Sequence, residues 1–133
     1  MKRLAIQGSI VNTSSWLAKG ATIGSTIYSA SKGGIDAMSR AAAMEVAEFG
    51  ICVNSIQPGY IVTEMFRRFF DPEDRVTGRP FLYATPARRY GTAEEAAALA
   101  VWLCSDEAIY ITGQSIAVDG GLTVPGNRPE MAS

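Results

Sequence analysis

Short apolar runs alternate along this chain with alanine-rich stretches of helical period. Ile10, Val11 and Asn12 lead a β-like run that ends in Thr13, Ser14 and Ser15. A Gly-containing loop through Gly20 and Gly24 follows. Residues 28–48 then read as a helix, with Ile35, Met38, Ala42, Val46 and Phe49 recurring at a spacing of three to four. Gly33 and Gly34 interrupt that pattern, either for plain packing or to let a second helix or a cofactor approach closely. Gly50 is a good helix stop. Residues 51–56 form a β-branched strand closed by Pro58-Gly59. Residues 60–91 are a long mixed connection containing EMFRRFF, Pro72, Pro80 and Pro86, of the kind that serves as a lid or substrate loop. Thr92 or its neighbourhood caps a second helix running to about Ser105, with Glu94 and Glu95 in the first turn where the helix dipole favours anions. Residues 115–118 are a last strand, followed by Asp119-Gly120-Gly121, and residues 122–133 read as a flexible tail.

Strand, helix, strand, helix, strand at these spacings predicts one α/β domain with parallel pairing and right-handed crossovers. In such sheets the ligand crevice lies outside the carboxyl ends of the strands. Ser15 and the Pro58-Gly59 turn both fall at such an end, and Tyr28 opens the intervening helix.

The chemistry of that crevice follows from residue type. Tyr28 and Lys32 stand four apart in YSASK, on one helical face. A free phenol titrates near pH 10, and bringing it to about 7 takes on the order of 4 kcal/mol. An ammonium about 4 Å away, at an effective dielectric of about 20, supplies roughly that much. Tyrosine would then be the acid/base and lysine the cation that makes it acidic. Ser15 would donate a hydrogen bond to a carbonyl or developing alkoxide. Taken singly, the Tyr–Lys pair also reads as an exposed helix pair, and Ser15 as a hydroxyl that caps the backbone.

Composition narrows the field further. The chain has 133 residues, 47% of them hydrophobic, enough for one core. It has no histidine, which excludes a Ser-His-Asp hydrolase and a His-ligated metal site. A net charge of −1 without a basic run gives no footprint for nucleic acid. Cys52 and Cys104 lie in apolar runs where cysteine acts as a small hydrophobe, without a disulfide pattern, so a reduced cytoplasmic setting is expected. No stretch approaches the length of a membrane span, and the apolar run after Lys2 and Arg3 is too short for a signal peptide.

Together, NTSS with Ser15, YSASK with Tyr28 and Lys32, VNSIQPGYIVT, RRYGTAEE and SDEAIYITGQSIAVDGG resemble the short-chain dehydrogenase/reductase family, in the subgroup of 3-oxoacyl-thioester reductases and sugar or polyol dehydrogenases. The resemblance runs from about Gly8 to Gly121. It implies a Rossmann-like doubly wound parallel sheet and an NAD(P)-dependent oxidoreductase interconverting a secondary alcohol and a ketone. It implies a catalytic triad of Ser15, Tyr28 and Lys32. For the cofactor, NAD or NADP, Tyr28 and Lys32 are joined by Pro58, Gly59, Ile61 and Thr63, with Lys32 on the nicotinamide ribose and the Ile61 backbone on the carboxamide. A homo-oligomer, dimer or tetramer, is implied for the full-length form. Other roles stay open: Pro58-Gly59 as a generic turn, Ile61 as core, Thr63 as a cap for EMFRRFF. Met65, Phe66, Phe69 and Phe70 line a substrate pocket or pack a core. Arg67, Arg68, Arg88 and Arg89 contact substrate or are solvated.

The family's opening βαβ unit carries a glycine-rich turn for the cofactor pyrophosphate, and no such cluster occurs in this sequence. The chain is therefore expected to be the carboxyl-terminal, catalytic half, with about three parallel strands, the N-terminal cofactor half absent, and little activity alone. Its first strand would then present an unpaired edge. A non-catalytic interaction or oligomerisation remnant is the alternative. A sugar-nucleotide epimerase or dehydratase also shares YxxxK, but PGYIVT and AVDGG argue against it. Residues 1–133 alone are expected to bind nicotinamide dinucleotides weakly or not at all; micromolar affinity for NADH or NADPH in a calorimetric titration would refute this.

Overall fold

The computed structural model describes residues 7–74 and 78–126. Three parallel strands form the main sheet: β1 (Gly8–Thr13), β2 (Ile51–Pro58) and β5 (Ser115–Val118), in the order β1-β2-β5. Gly8 pairs with Ile51 and Thr13 with Ile56 on one side of β2; Ser55 pairs with Ser115 and Pro58 with Val118 on the other. The central strand is buried from Ile51 through Gln57, as a parallel strand covered on both faces must be. Its side chains alternate. Ile51 and Val53 pack under α1 (Thr26–Val46) with Ala43, Ala42 and Val46. Ile56 packs under α4 (Ala93–Leu103) with Leu103 and Ala108. Full burial of a leucine such as Leu103, which is 0% exposed, is worth about 1.5–3 kcal/mol. The sheet is thus wound on both faces, as the sequence predicts, and β1 is its edge strand among the described residues, with Ile10 41% exposed.

The helices start and stop for identifiable reasons. α1 continues as a 3₁₀ turn over Ala47–Phe49 and ends at Gly50, whose φ of 68° suits the left-handed cap. α4 opens with a capping box: Glu95 N donates to Thr92 Oγ1 and Thr92 N to Glu95 Oε2.

Four details differ from the sequence reading. The buried residues of α1 are Asp36, Ser39 and Ala43, and Met38 is 54% exposed. The buried face lies one position beyond the apolar repeat, because polar side chains of β1 and β2 give Asp36 and Ser39 partners. The connection 60–91 is not structureless. It holds β3 (Ile61–Val62), α2 (Glu64–Arg67), α3 (Arg79–Ala84) and β4 (Gly91–Thr92), with β3 and β4 pairing in parallel as a second small sheet. Cys104 is exposed, because the helix ends on it, whereas Cys52 is buried. A Cβ at Gly33 or Gly34 would meet nothing within 4 Å, so no helix of the described chain approaches there. Of the expected tail, Leu122 N donates to Asp119 O, and the Thr123 N–H and hydroxyl both donate to Asp119 Oδ2; residues 127–133 lie outside the described residues. No described helix is long and apolar enough to cross a membrane.

A bidentate ion pair anchors the small sheet to α4. Arg89 Nη2 lies 2.5 Å from Glu95 Oε1 and Nη1 donates to Oε2 at 2.8 Å. Those hydrogen bonds, together with the Thr92 N–H, hold the Glu95 carboxyl at about 2 against an ordinary 4.5. A depressed carboxylate stabilises the fold fully above its unfolded value and loses that contribution as pH falls through the folded one. Glu95→Gln is therefore expected to lower the melting temperature at pH 6, with the difference from wild type shrinking below about 4.5 and gone near 2. Thermal melts across that range check this; a difference constant with pH would contradict it.

Candidate active site

Of the expected site residues, Ser15 follows the carboxyl end of β1, Lys32 reaches that end, and Pro58-Gly59 closes β2. β1 stops at Thr13, and the chain turns through Ser14 and Ser15 into a 3₁₀ turn over Trp16–Ala18. The two serines have different duties. Ser14 donates its hydroxyl proton to the Lys32 carbonyl at 3.0 Å. Ser15, 7% exposed, accepts from Leu17 N at 3.2 Å and caps the turn. Capping occupies an oxygen lone pair, so the Ser15 O–H remains available as a donor. The cap and the proposed anchor are compatible roles of one hydroxyl.

Tyr28 and Lys32 project from one face of α1, as their spacing predicts. The ammonium lies over the Tyr28 ring, 5.6 Å from its centroid, and donates to the Thr13 carbonyl at 3.0 Å. It is therefore held by the strand end over the ring face. An ammonium has three donors, and one is used among the described residues. The phenol is 44% exposed and its hydroxyl has no hydrogen-bond partner among them.

Pro58 and Gly59 follow β2 at the same end of the sheet. Gly59 N donates to Val118 O at 3.1 Å, and a Cβ at Gly59 would come within 2.8 Å of the Asp119 Cα. Only glycine lets the two strand ends approach so closely. Ile61 sits in β3 opposite Gly91. Thr63 Oγ1 accepts from Phe66 N at 3.1 Å and caps α2, the role left open for it in the sequence, and its O–H is free to donate. The chemistry of these residues, ammonium and hydroxyl donors beside a glycine at a strand end, is of the kind that could hold the nicotinamide and ribose end of a dinucleotide. A cavity of about 350 Å³ lies next to this point, lined by Tyr60, Ile61, Thr85, Arg89 and Asp119 among others. Of the expected site residues, Ile61 alone lines it.

Rings unmentioned in the sequence reading adjoin the serine. Trp16 packs edge-on against Tyr60 at 5.3 Å, Tyr60 against Phe81 at 5.0 Å, and Phe81 against Phe70 at 4.6 Å. Phe66 and Phe70 belong to this cluster, while Met65 and Phe69 are exposed. Burial, then Tyr90, push the Tyr60 phenol upward, which keeps it protonated and unsuited to accept a proton. Its place directly after Pro58-Gly59 was the available signal. The four arginines singled out are all exposed, with Arg68 paired to Glu64, Arg88 over Tyr83, and Arg89 on Glu95.

A parallel sheet wound on both faces, with a tyrosine and lysine on its crossover helix, defines an α/β protein of the doubly wound, Rossmann-like type. Comparison with known proteins specifies it. Residues 1–123 match the family model described as enoyl-(acyl carrier protein) reductase. An uncharacterized oxidoreductase of Bacillus subtilis is 40% identical over 126 residues, covering 90% of this chain and 46% of that protein. The 3-oxoacyl-[acyl-carrier-protein] reductase of Thermotoga maritima is 42% identical over 118 residues, covering 88% and 46%. A candidate 2-deoxy-D-gluconate 3-dehydrogenase of Agrobacterium tumefaciens, solved with bound NADP, superposes with a TM-score of 0.84 at 35% identity, over 91% of this chain and 48% of that one. The chain belongs to the short-chain dehydrogenase/reductase family. It spans about half the length of the curated relatives it matches.

Gly59→Ala is expected to force the β2 and β5 ends apart and to cost about 1–3 kcal/mol. A fall in the urea midpoint without change of slope checks it; an unchanged midpoint would contradict the close approach.

Proposed function

We propose that this chain carries the proton-transfer half of an NAD(P)-dependent oxidoreductase that interconverts a secondary alcohol and a ketone. The observation that carries the reading is the Lys32 ammonium held between the Thr13 carbonyl and the Tyr28 ring, beside a serine whose proton is free. Bound nicotinamide would supply or accept the hydride. The protein's own groups handle the rest. Ser15 donates a hydrogen bond to the substrate oxygen and holds it near the phenol. Tyr28 gives its proton to that oxygen during reduction and takes one from the alcohol during oxidation. The fixed positive charge of Lys32 favours the negative charge that the tyrosine oxygen then carries, and its remaining donors would meet the ribose. Pro58, Gly59, Ile61 and Thr63 would flank the nicotinamide.

The NADP bound to the Agrobacterium protein supports a nicotinamide cofactor, with the choice between NAD and NADP left to residues outside this set. The substrate is read as a small alcohol or ketone. Assembly into a homo-oligomer is supported by apolar side chains that α1 leaves in solvent: Ile27 at 87%, Met44 at 85% and Met38 at 54% exposed.

The test is to fuse this chain behind the glycine-rich βαβ half of a relative. The fusion should then show NAD(P)H-dependent ketone reduction by absorbance, and Tyr28→Phe should reduce turnover about 10²-fold or more with nucleotide affinity retained. A fusion that binds nucleotide and keeps most of its turnover with phenylalanine would disprove the proton-transfer role.

A further inference from the structure

No apolar side chain is buried in the half of α1 that carries Tyr28 and Lys32. The one buried apolar side chain of the helix, Ala43, lies toward its far end, where it meets Ile51 and Val53 with Ala42 and Val46 beside it. At the near end Ile27 is 87% and Tyr28 44% exposed. Polar contacts hold what lies between. Ser14 binds the Lys32 carbonyl, Lys32 binds the Thr13 carbonyl, and Asn12 Nδ2 donates to Ser39 Oγ at 2.9 Å.

The deepest of these contacts is a carboxylate that the proposed chemistry does not use. Asp36 lies one helical turn beyond Lys32, on the same face, and is 5% exposed. Its Oδ1 accepts from Ser55 Oγ at 2.7 Å and its Oδ2 from Gln57 Nε2 at 2.5 Å. Ser55 and Gln57 sit two apart on β2, both 0% exposed, so both point to the α1 face. Ser55 Oγ also meets Ser115 Oγ of β5 at 2.9 Å. Gln57 directly precedes Pro58-Gly59, and its Oε1 has no partner among the described residues. A buried carboxylate satisfied by a serine and a glutamine, and an amide left half-satisfied, form a costly arrangement in a core. Apolar side chains would fill the space with less penalty. They would also let the helix slide, since dispersion is not directional and hydrogen bonds are.

We propose that Asp36 is a positioning residue: clasped to Ser55 and Gln57, it fixes the axial register of α1 on β2, and thereby sets Lys32, over the Tyr28 ring, against the end of β1. β1 is locked in register to β2, so a helix that slips on β2 slips on β1 also. Lys32 then loses the Thr13 carbonyl. The Tyr28–Lys32 spacing itself is internal to the helix and does not change. The proposal rests on the oxidoreductase reading for its purpose, but its geometry can be tested without nucleotide or turnover.

The experiment is competitive acetylation of the full chain with limiting acetic anhydride, followed by mass spectrometry. Lys19, exposed and off the helix, is the internal reference. Asp36→Leu removes both clasp bonds; Gln57→Met removes one with little change of volume, and decides the matter if the leucine variant does not fold. Either is expected to raise Lys32 modification relative to Lys19 about fivefold, the protection one hydrogen bond gives. Asp36→Asn should keep the wild-type ratio: its carbonyl accepts from Ser55 and its amide donates to Gln57 Oε1 once that amide turns over. Ile51→Ala, a core change at the other end of β2, should lower stability and leave the ratio alone. The proposal is overturned if the folded clasp variants keep the wild-type ratio, if Ile51→Ala raises it equally, or if Asp36→Asn exposes Lys32 as leucine does. None of these outcomes bears on Tyr28→Phe turnover, so the register and the proton-transfer role can fail separately.

Discussion

A lysine ammonium resting on the last carbonyl of a strand is the contact from which the rest of the site follows. Thr13 O, Lys32 Nζ and the Tyr28 ring form one stack, and each member comes from the end of an element. The strand end supplies the Thr13 carbonyl. The helix supplies a cation at the spacing that covers the tyrosine. This converts a flexible side chain into a fixed charge: a free lysine carries about 2 kcal/mol of rotamer entropy, and the Thr13 bond confines it in advance of any ligand.

The same economy explains why the two serines are not equivalent. Ser14 spends its proton on the Lys32 carbonyl and so ties strand to helix. Ser15 spends a lone pair on the Leu17 amide and so keeps its proton. Neighbouring residues of one type thus divide into a structural donor and an available donor. Tyr60 and Tyr28 divide in a comparable way, since Tyr60 is walled in by Trp16 and Phe81 while the Tyr28 hydroxyl has no partner among the described residues.

The main sheet was legible because its strands are short apolar runs closed by turn chemistry, and because Gly50 and Thr92 carry unambiguous cap signals. The pairing of Tyr28 with Lys32 was legible because four-residue spacing survives any error in where the helix begins. Other features were hidden for physical reasons. β3 and β4 have two residues each, too few for a period to register, and owe their pairing to the ends of the long connection being brought together. The buried face of α1 was misplaced by one position because a periodicity argument counts apolar residues. This face is built from Asp36 and Ser39, whose burial depends on partners in β1 and β2 that no local window contains. Thr63, read as either a cofactor contact or a cap, proved to cap α2 without forfeiting its proton.

The polar lining of α1 also bears on how the half-sheet is used. A helix held by apolar side chains gains stability from close fit but tolerates small slips, and a carbonyl end, an ammonium and a phenol do not tolerate them. A shift of one ångström would break a bond of 3.0 Å such as that of Lys32 to Thr13, since hydrogen bonds weaken steeply beyond their ordinary range. The buried Asp36 carboxylate, the half-satisfied Gln57 and the Asn12–Ser39 bond give up core stability in return for alignment. Such conflicts between local packing rules and the observed core are concentrated where function is served. Here they fall along the face of α1 that bears the candidate chemistry, and the apolar clusters at Ile51 and Leu103 supply the stability that lets that face be polar.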